Sequence, residues 1–435
     1  MLQALKDMFS VKDLRKKMLF IVGIIVLYRV GTFITVPGID KIAFMNEIST
    51  NTGILGTINI ISGGAFSRLS ILAMTIGPYI TASIILNLLQ IVIPSLEKLA
   101  REGETGRKKL QRYTKYLTVV FAIIESVGLF LQYRKFLVAP LTQGAGVVMG
   151  LLLFVTSLMA GTALLMWLAD KITETNLGNG VSMIIFVSIV SGAPAAAAAL
   201  IEFAKGGIAN VLVIIAFIVA MIALVAGVIF VQQAERRIPV NYAKRVVGRK
   251  MMGGQNTHIP LKVAMAGVIP IIFAMSFMMF PPMIINLCTK GNPTGFWKGV
   301  HDLFSLGSGN AWFMLIYALI YMGLIVAFTF FYTTIIVNPV EMSNNLKKNG
   351  GFIPGIRAGK QTTEYITNVL NNITWAGAIF LALVAILPIL VQALMPGLNI
   401  GFGGTSILIV VSVALEILKQ LETQMVSRHY KGFLE

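Results

Sequence analysis

Acidic residues are scarce in this chain. Eighteen Asp and Glu stand against 35 Lys and Arg, and charged residues of both signs make up only 12% of 435 positions. So little charge cannot clothe a water-soluble fold of this size, and the mean hydropathy of +0.82 calls for lipid as the solvent. The single cysteine, Cys288, excludes an internal disulfide and a thiolate metal cage. Its expected role is ordinary packing near the outer end of a helix. Three histidines, His258, His301 and His429, fall in loops or the tail, and no HExxH run occurs. No histidine is therefore placed to partner a serine at membrane depth. A Gly-Lys-Ser/Thr phosphate loop is also missing, so ATP-driven work must come from a partner. No catalytic residue, metal or cofactor is expected.

What the chain does have is apolar length. Hydrophobic residues make up 56% of it, in ten stretches near 18–36, 71–93, 114–133, 148–169, 181–201, 211–231, 262–287, 311–337, 366–395 and 404–422. A membrane span takes about 20 mainly apolar residues. Lipid offers the backbone no hydrogen bonds, which selects helix. The expectation is an all-α polytopic membrane protein with ten transmembrane helices.

The basic residues alternate between gaps. Of the 35 Lys and Arg, 27 lie in the N-terminal segment, the C-terminal tail (counting Lys419 near the end of the last stretch) and loops 94–116, 170–180, 232–262 and 338–365. Seven lie in the other gaps (37–70, 134–147, 202–210, 288–310 and 396–403), and Arg29 lies inside a stretch. Cationic loops remain cytoplasmic, so both ends are expected in the cytoplasm. The net charge of +17 then concentrates on the cytoplasmic face, where it can meet anionic lipid, RNA phosphate or an acidic partner. Residues 1–17 carry Lys6, Lys12, Arg15, Lys16 and Lys17, and Leu2, Leu5, Phe9 and Leu14 can share a helical face. The expectation is a surface helix rather than a cleaved signal, because no small-x-small site follows.

Five spans precede residue 205 and five follow. Five is odd, so an N-terminal half (1–205) and a C-terminal half (206–435) that shared a fold would be inverted with respect to each other. Residues 53–70 break the scheme. Gly53, Gly56, Gly63 and Gly64 weaken helix, and Ser62, Ser67 and Arg68 add polarity. Two readings stay open: a re-entrant half-helix enclosed by protein, or an outer loop with a surface helix. Arg29, Glu125 and Glu416 lie inside spans. Charges there suggest function by default, yet no stacked series of acids points to a proton relay.

Several motifs, in order along the chain, carry a likeness. They are Ile61-Ser-Gly-Gly-Ala-Phe-Ser-Arg-Leu-Ser70 with Pro78-Tyr-Ile-Thr-Ala-Ser-Ile84, Glu102-Gly-Glu-Thr-Gly-Arg-Lys-Lys109 and Ile172-Thr-Glu-Thr-Asn-Leu-Gly-Asn-Gly180. Further on come Arg236-Arg-Ile-Pro-Val-Asn-Tyr-Ala-Lys-Arg245, Thr257-His-Ile-Pro-Leu-Lys262, Asn338-Pro-Val-Glu-Met-Ser-Asn-Asn-Leu-Lys-Lys348, Phe352-Ile-Pro-Gly-Ile-Arg-Ala-Gly359 and Gly403-Gly-Thr-Ser-Ile-Leu-Ile-Val410. The chain resembles the SecY family, the channel-forming subunits of the bacterial Sec protein translocon, over essentially its whole length.

The resemblance implies a protein-conducting channel in the cytoplasmic membrane, with the two halves around a central hourglass pore. It places a seal of apolar side chains at Ile76, Ile80, Val181, Ile185, Ile272 and Ile409. Branched side chains suit a stiff collar that closes by dewetting. A plug is implied near 55–70, centred on Ile61, Ser62, Gly63, Gly64, Ala65, Phe66, Ser67 and Arg68. A lateral gate is implied between the second span (Thr81, Ile84, Asn87, Leu88) and the seventh (Ile272, Ser276, Phe280). Partner docking is implied at Lys244, Arg245, Arg249 and Lys250, and at Lys347, Lys348 and Arg357. The partners implied are the small subunits SecE and SecG, the motor ATPase SecA, the ribosome, signal sequences, nascent polypeptides and anionic lipids. A secondary transporter is the rival reading, since it too can have inverted halves and broken helices. It would need a mid-depth substrate cage or several intramembrane carboxylates, where this chain offers apolar residues and large basic loops.

Overall fold

The computed structural model describes residues 12–50, 59, 62–138, 145–242, 245–247, 250–252, 256–289, 293–304, 311–394 and 404–429. Ten helices of 16 to 35 residues occupy the ten apolar stretches. They are α1 (Lys12–Gly31), α3 (Gly77–Val92), α5 (Glu104–Tyr133), α6 (Ala145–Thr173), α7 (Gly180–Ala204), α8 (Ile208–Gln233), α9 (Ile269–Cys288), α11 (Ala311–Ile336), α13 (Lys360–Leu394) and α14 (Gly404–His429). Shorter helices α2 (Lys41–Thr50), α4 (Pro94–Arg101), α10 (Gly295–Leu303) and α12 (Pro339–Lys348) lie between them. Seven of the long helices have the length and apolarity to cross a membrane unaided, and α3 with α4 makes an eighth if that bent pair is one span. The remaining two, α1 and α14, carry charged ends, Lys12–Lys17 in one and Glu416–Glu422 in the other. Outward apolar side chains are abundant. In α8 only 6% of the most apolar window is buried, which suits a helix solvated by lipid or covered by another chain.

Several boundaries differ from the sequence expectation. Residues 12–17 continue the first long helix, and Leu14 is fully buried, so at least this part is no separate surface helix; residues 1–11 lie outside the described residues. The stretches near 71 and 262 begin with turns, at 71–76 and 263–268, before helix starts. The basic loop 94–116 is mostly helical. Pro94 turns the chain by 107° into α4, and α5 starts at Glu104, ten residues early. Cys288 is exposed, not packed. His258 lies on a strand, and His301 and His429 lie on helices, not in loops.

The long basic loop 232–262 also folds. Strands β1 (Glu235–Tyr242) and β4 (Asn256–Lys262) pair antiparallel, with Ile238 opposite Ile259, and β5 (Gly351–Phe352) joins the other edge of β1. Strands β2 (Arg245–Val247) and β3 (Lys250–Met252) form a separate hairpin. The residues of β1 alternate, and Ile238 and Val240 point into a core shared with Leu346, Ile353, Ile366 and Leu370. This core joins β1 and β4 to α12 and α13, so the two basic loops form one body.

Packing among the long helices is uneven. Within the first five, α3 packs on α5, α5 on α6, α6 on α7, and α1 on α6. Within the last five, α9 packs on α11, α11 on α13, α13 on α14, and α8 on α14. Contact between the groups falls in two places: α7 against α8 and α14 on one side, and α3 with α5 against α9 on the other.

Candidate functional site

The six collar candidates stand at the starts of four helices. Ile76 is the N-cap of α3, and the other five sit within the first six residues of α3, α7, α9 or α14. Turns before α3 and α9 start these helices late, which sets their first turns inside the protein. The α7 start is capped by Asn179, whose Oδ1 accepts from the Val181 N–H at 3.0 Å. Ile76, Ile185 and Ile409 are buried, and Ile80, Val181 and Ile272 are half-buried. Two apolar clusters take in all six, and Ile80 and Val181 belong to both. None of the six faces outward.

Segment 62–76 is a chain of turns, with no helix from 62 to 76. Among the plug candidates, Ser62, Gly63, Ala65 and Phe66 are buried, and Gly64, Ser67 and Arg68 are half-buried; Ile61 lies outside the described residues. Polar side chains satisfy the turns from within. Ser62 Oγ accepts from the Phe66 N–H at 3.0 Å, and Asn59 Oδ1 accepts from the Ser67 N–H at 2.9 Å. Phe66 meets Phe44 and Tyr133 edge-on at 6.3 and 6.2 Å between ring centroids. Residues 62–70 are thus enclosed by protein, but as turns rather than the expected re-entrant half-helix, and they are not a surface helix; residues 53–58, 60 and 61 lie outside the described residues.

The α3–α9 contact is apolar. Ile84 is buried, Leu88 packs on the same cluster, and that cluster also takes in Ile271, Ala274 and Met278 of α9. Thr81 is buried, while Asn87, Ser276 and Phe280 are half-buried. Ser276 Oγ donates to the Ile272 carbonyl of its own helix, and Asn87 Oδ1 accepts from Gln90 Nε2 at 3.4 Å. Among the described residues no hydrogen bond crosses from α3 to α9. Polar bonds cross three other helix contacts. Tyr28 of α1 bonds Ser188 of α7, Lys115 of α5 pairs with Asp170 of α6 at 2.5 Å, and Gln232 of α8 bonds Ser412 of α14. Glu125 of α5 lies close to Gly77 at the start of α3.

On the body formed by the two basic loops, Lys347, Lys348 and Arg357 are exposed. The loop carrying Arg357 is pinned by buried Ile353, by half-buried Ile356 and by Thr362 Oγ1, which donates to the Arg357 carbonyl at 2.9 Å. Arg245 and Lys250 fall on β2 and β3, and Lys244 and Arg249 lie outside the described residues. Positive charge is crowded here. Lys262 is held below the ordinary lysine range, first by its hydrogen-bonding contact with the Lys419 amine and then by partial burial. Glu235 is held low by its hydrogen bond from Arg237 at 2.7 Å.

The SecY family profile matches residues 70–418. The chain belongs to the SecY family. A SecY translocase subunit from Streptomyces scabiei is 44% identical over 445 residues, with both chains covered in full. Among solved structures, one of SecY with 20% identity matches at a TM-score of 0.60, covering 94% of this chain and 92% of that one. It is described as showing that the SecY plug domain stabilises the closed state of the translocation channel and maintains a membrane seal. A canine Sec61 ribosome–channel complex matches at 0.58 with 17% identity, again covering 94% and 92%. These distant likenesses establish the fold that a SecY chain shares with them. Sequence reading missed the partners of Arg29, which lie 34 and 162 residues away. The only local signal was a lone cation in an apolar run.

Proposed function

We propose that this chain is the protein-conducting channel of a bacterial Sec translocon, with no catalytic role of its own. One observation supports the reading: six aliphatic residues at four separate helix starts each belong to one or both of two buried apolar clusters that share Ile80 and Val181, where a transporter would hold a polar cage. Ile76, Ile80, Val181, Ile185, Ile272 and Ile409 form the collar. Residues 55–70 form the plug. Thr81, Ile84, Asn87 and Leu88 face Ile272, Ser276 and Phe280 across the lateral gate, through which signal sequences and transmembrane segments leave for lipid. All ten long helices cross the bilayer, in two inverted halves meeting near residue 205, with both termini cytoplasmic.

The chain provides a passage and partners provide the work. The exposed cations Lys347, Lys348 and Arg357, with Lys244, Arg245, Arg249 and Lys250, suit ribosomal RNA phosphates and the motor ATPase SecA. Anionic lipid meets the same face. The unburied apolar surface of α8 and its neighbours is available to SecE, SecG and lipid. Reconstitution tests the reading. In proteoliposomes with SecE, SecG, SecA and ATP, the chain should move a secretory precursor into a protease-protected lumen and take up no small solute. Protease-accessible precursor together with solute uptake would favour the transporter.

A further inference from the structure

One arginine stitches three pieces of chain together at the edge of the enclosed segment. Arg29, in the last turn of α1, donates from Nη1 to the Gly63 carbonyl at 2.6 Å and to Ser191 Oγ of α7 at 3.1 Å. Ser191 Oγ in turn donates to the Ser188 carbonyl, and Ser188 Oγ bonds Tyr28 of α1 at 2.6 Å. The approach is backbone-close: a Cβ at Gly63 would stand 2.4 Å from Ser191 Oγ and 2.8 Å from the Ser188 carbonyl oxygen. The Phe33 ring adds a second tie, with Arg29 Cζ 5.4 Å and Arg68 Cζ 4.2 Å from its centroid. Among the described residues no carboxylate pairs with either guanidinium. A cation in an apolar helix is costly to insert, and this one spends its donors on a carbonyl of the segment.

We propose that Arg29 is the latch that holds the plug in its seat. The proposal rests on the channel reading above. Every partner in the latch lies between residues 28 and 191, in the first five long helices and the segment they enclose. Nothing in it reaches α9. Parting α3 from α9 therefore leaves the latch closed, and the plug travels with the first group of helices. Gate opening and plug release are separate events, and an entering polypeptide must break the Arg29–Gly63 contact itself.

The test uses the chain purified with its companion subunits, in a Cys288→Ser background because Cys288 is exposed. A Ser67→Cys reporter is added, and no polypeptide substrate is present. Idle conductance in planar bilayers and the rate of Ser67→Cys labelling by a membrane-impermeant maleimide are measured for Arg29→Met, Arg29→Lys and Ser191→Ala. Arg29→Met should raise both roughly tenfold or more, the factor carried by loss of one hydrogen bond to a charged group. Arg29→Lys and Ser191→Ala should fall between it and the parent. Deletion of residues 62–66 is the reference. If the deletion raises conductance and Arg29→Met does not, the latch is wrong and the channel reading stands. If the deletion itself changes nothing, the plug reading falls and the latch with it. Should Arg29→Met fail to assemble, Ser191→Ala decides alone, and parental values for it overturn the proposal.

Discussion

At the scale of single residues, two adjacent glycines separate conformational from steric constraint. Gly63 has φ +61° and Gly64 has φ +83°, both in the left-handed region. An alanine there costs about 1–2 kcal/mol in backbone strain at either position. Gly64 has open space around its missing Cβ, whereas Gly63 faces the Ser188 backbone, which cannot move aside without shifting α7. Gly63→Ala should therefore unseat the plug and raise idle conductance well above Gly64→Ala, whose effect stays within the strain alone. Equal leak from the two variants would remove the close approach to α7 from the argument. Neither neighbour relation was legible in the sequence. Glycine content announced a weakened helix, but which glycine touches which helix depends on a contact across more than 120 residues. Arg29 is the same case: its charge was conspicuous, and its partners had no local signature.

Among elements, the long helices were legible because an apolar run in lipid has one outcome. Their starts were less so. Turns at 71–76 and 263–268 delay α3 and α9, and the sequence there is as apolar as the helices that follow. The basic loops hid real structure. In β1, Ile238, Val240 and Tyr242 alternate with polar residues or proline, a period-2 signal that a search for loops passes over. The folded loop bears on the docking proposed for it. Arg357 is exposed on a turn held by Ile353, Ile356 and Thr362, so reversing its charge should leave the fold intact. Arg357→Glu should depress motor-driven export of a secretory precursor severalfold, with normal membrane insertion and yield of the chain. Unimpaired export by this variant, measured as protease-protected precursor, would move the motor contact elsewhere. Alanine at Thr362 removes only the hydrogen bond to the loop and should cost about 1 kcal/mol of local order.

For the whole molecule, the arrangement of contacts between the two groups of helices sets how the channel can open. On one side, α7 meets α8 and α14, and Gln424 Nε2 donates to the Asn176 carbonyl at 2.6 Å. The connection from α7 to α8 is also short, from Ala204 to Ile208. On the opposite side, α3 and α9 touch through apolar side chains with no crossing hydrogen bond among the described residues. An apolar contact in lipid has little hydrophobic drive behind it, because hydrocarbon replaces hydrocarbon when it parts. On the channel reading proposed above, the seam is the weak side and the α7–α14 side the hinge. An apolar signal helix that binds only the parted state can shift a balance of a few kcal/mol toward it. Two crosslinks make the asymmetry measurable. A short bis-maleimide bridge between Asn87→Cys and Ser276→Cys should block export, and one between Asn176→Cys and Gln424→Cys should leave it near the parental rate. Both are made in the Cys288→Ser background and scored by protease protection of a precursor. If the hinge-side bridge blocks and the seam-side bridge does not, the molecule opens the other way round, and the residues proposed for the lateral gate belong to its hinge.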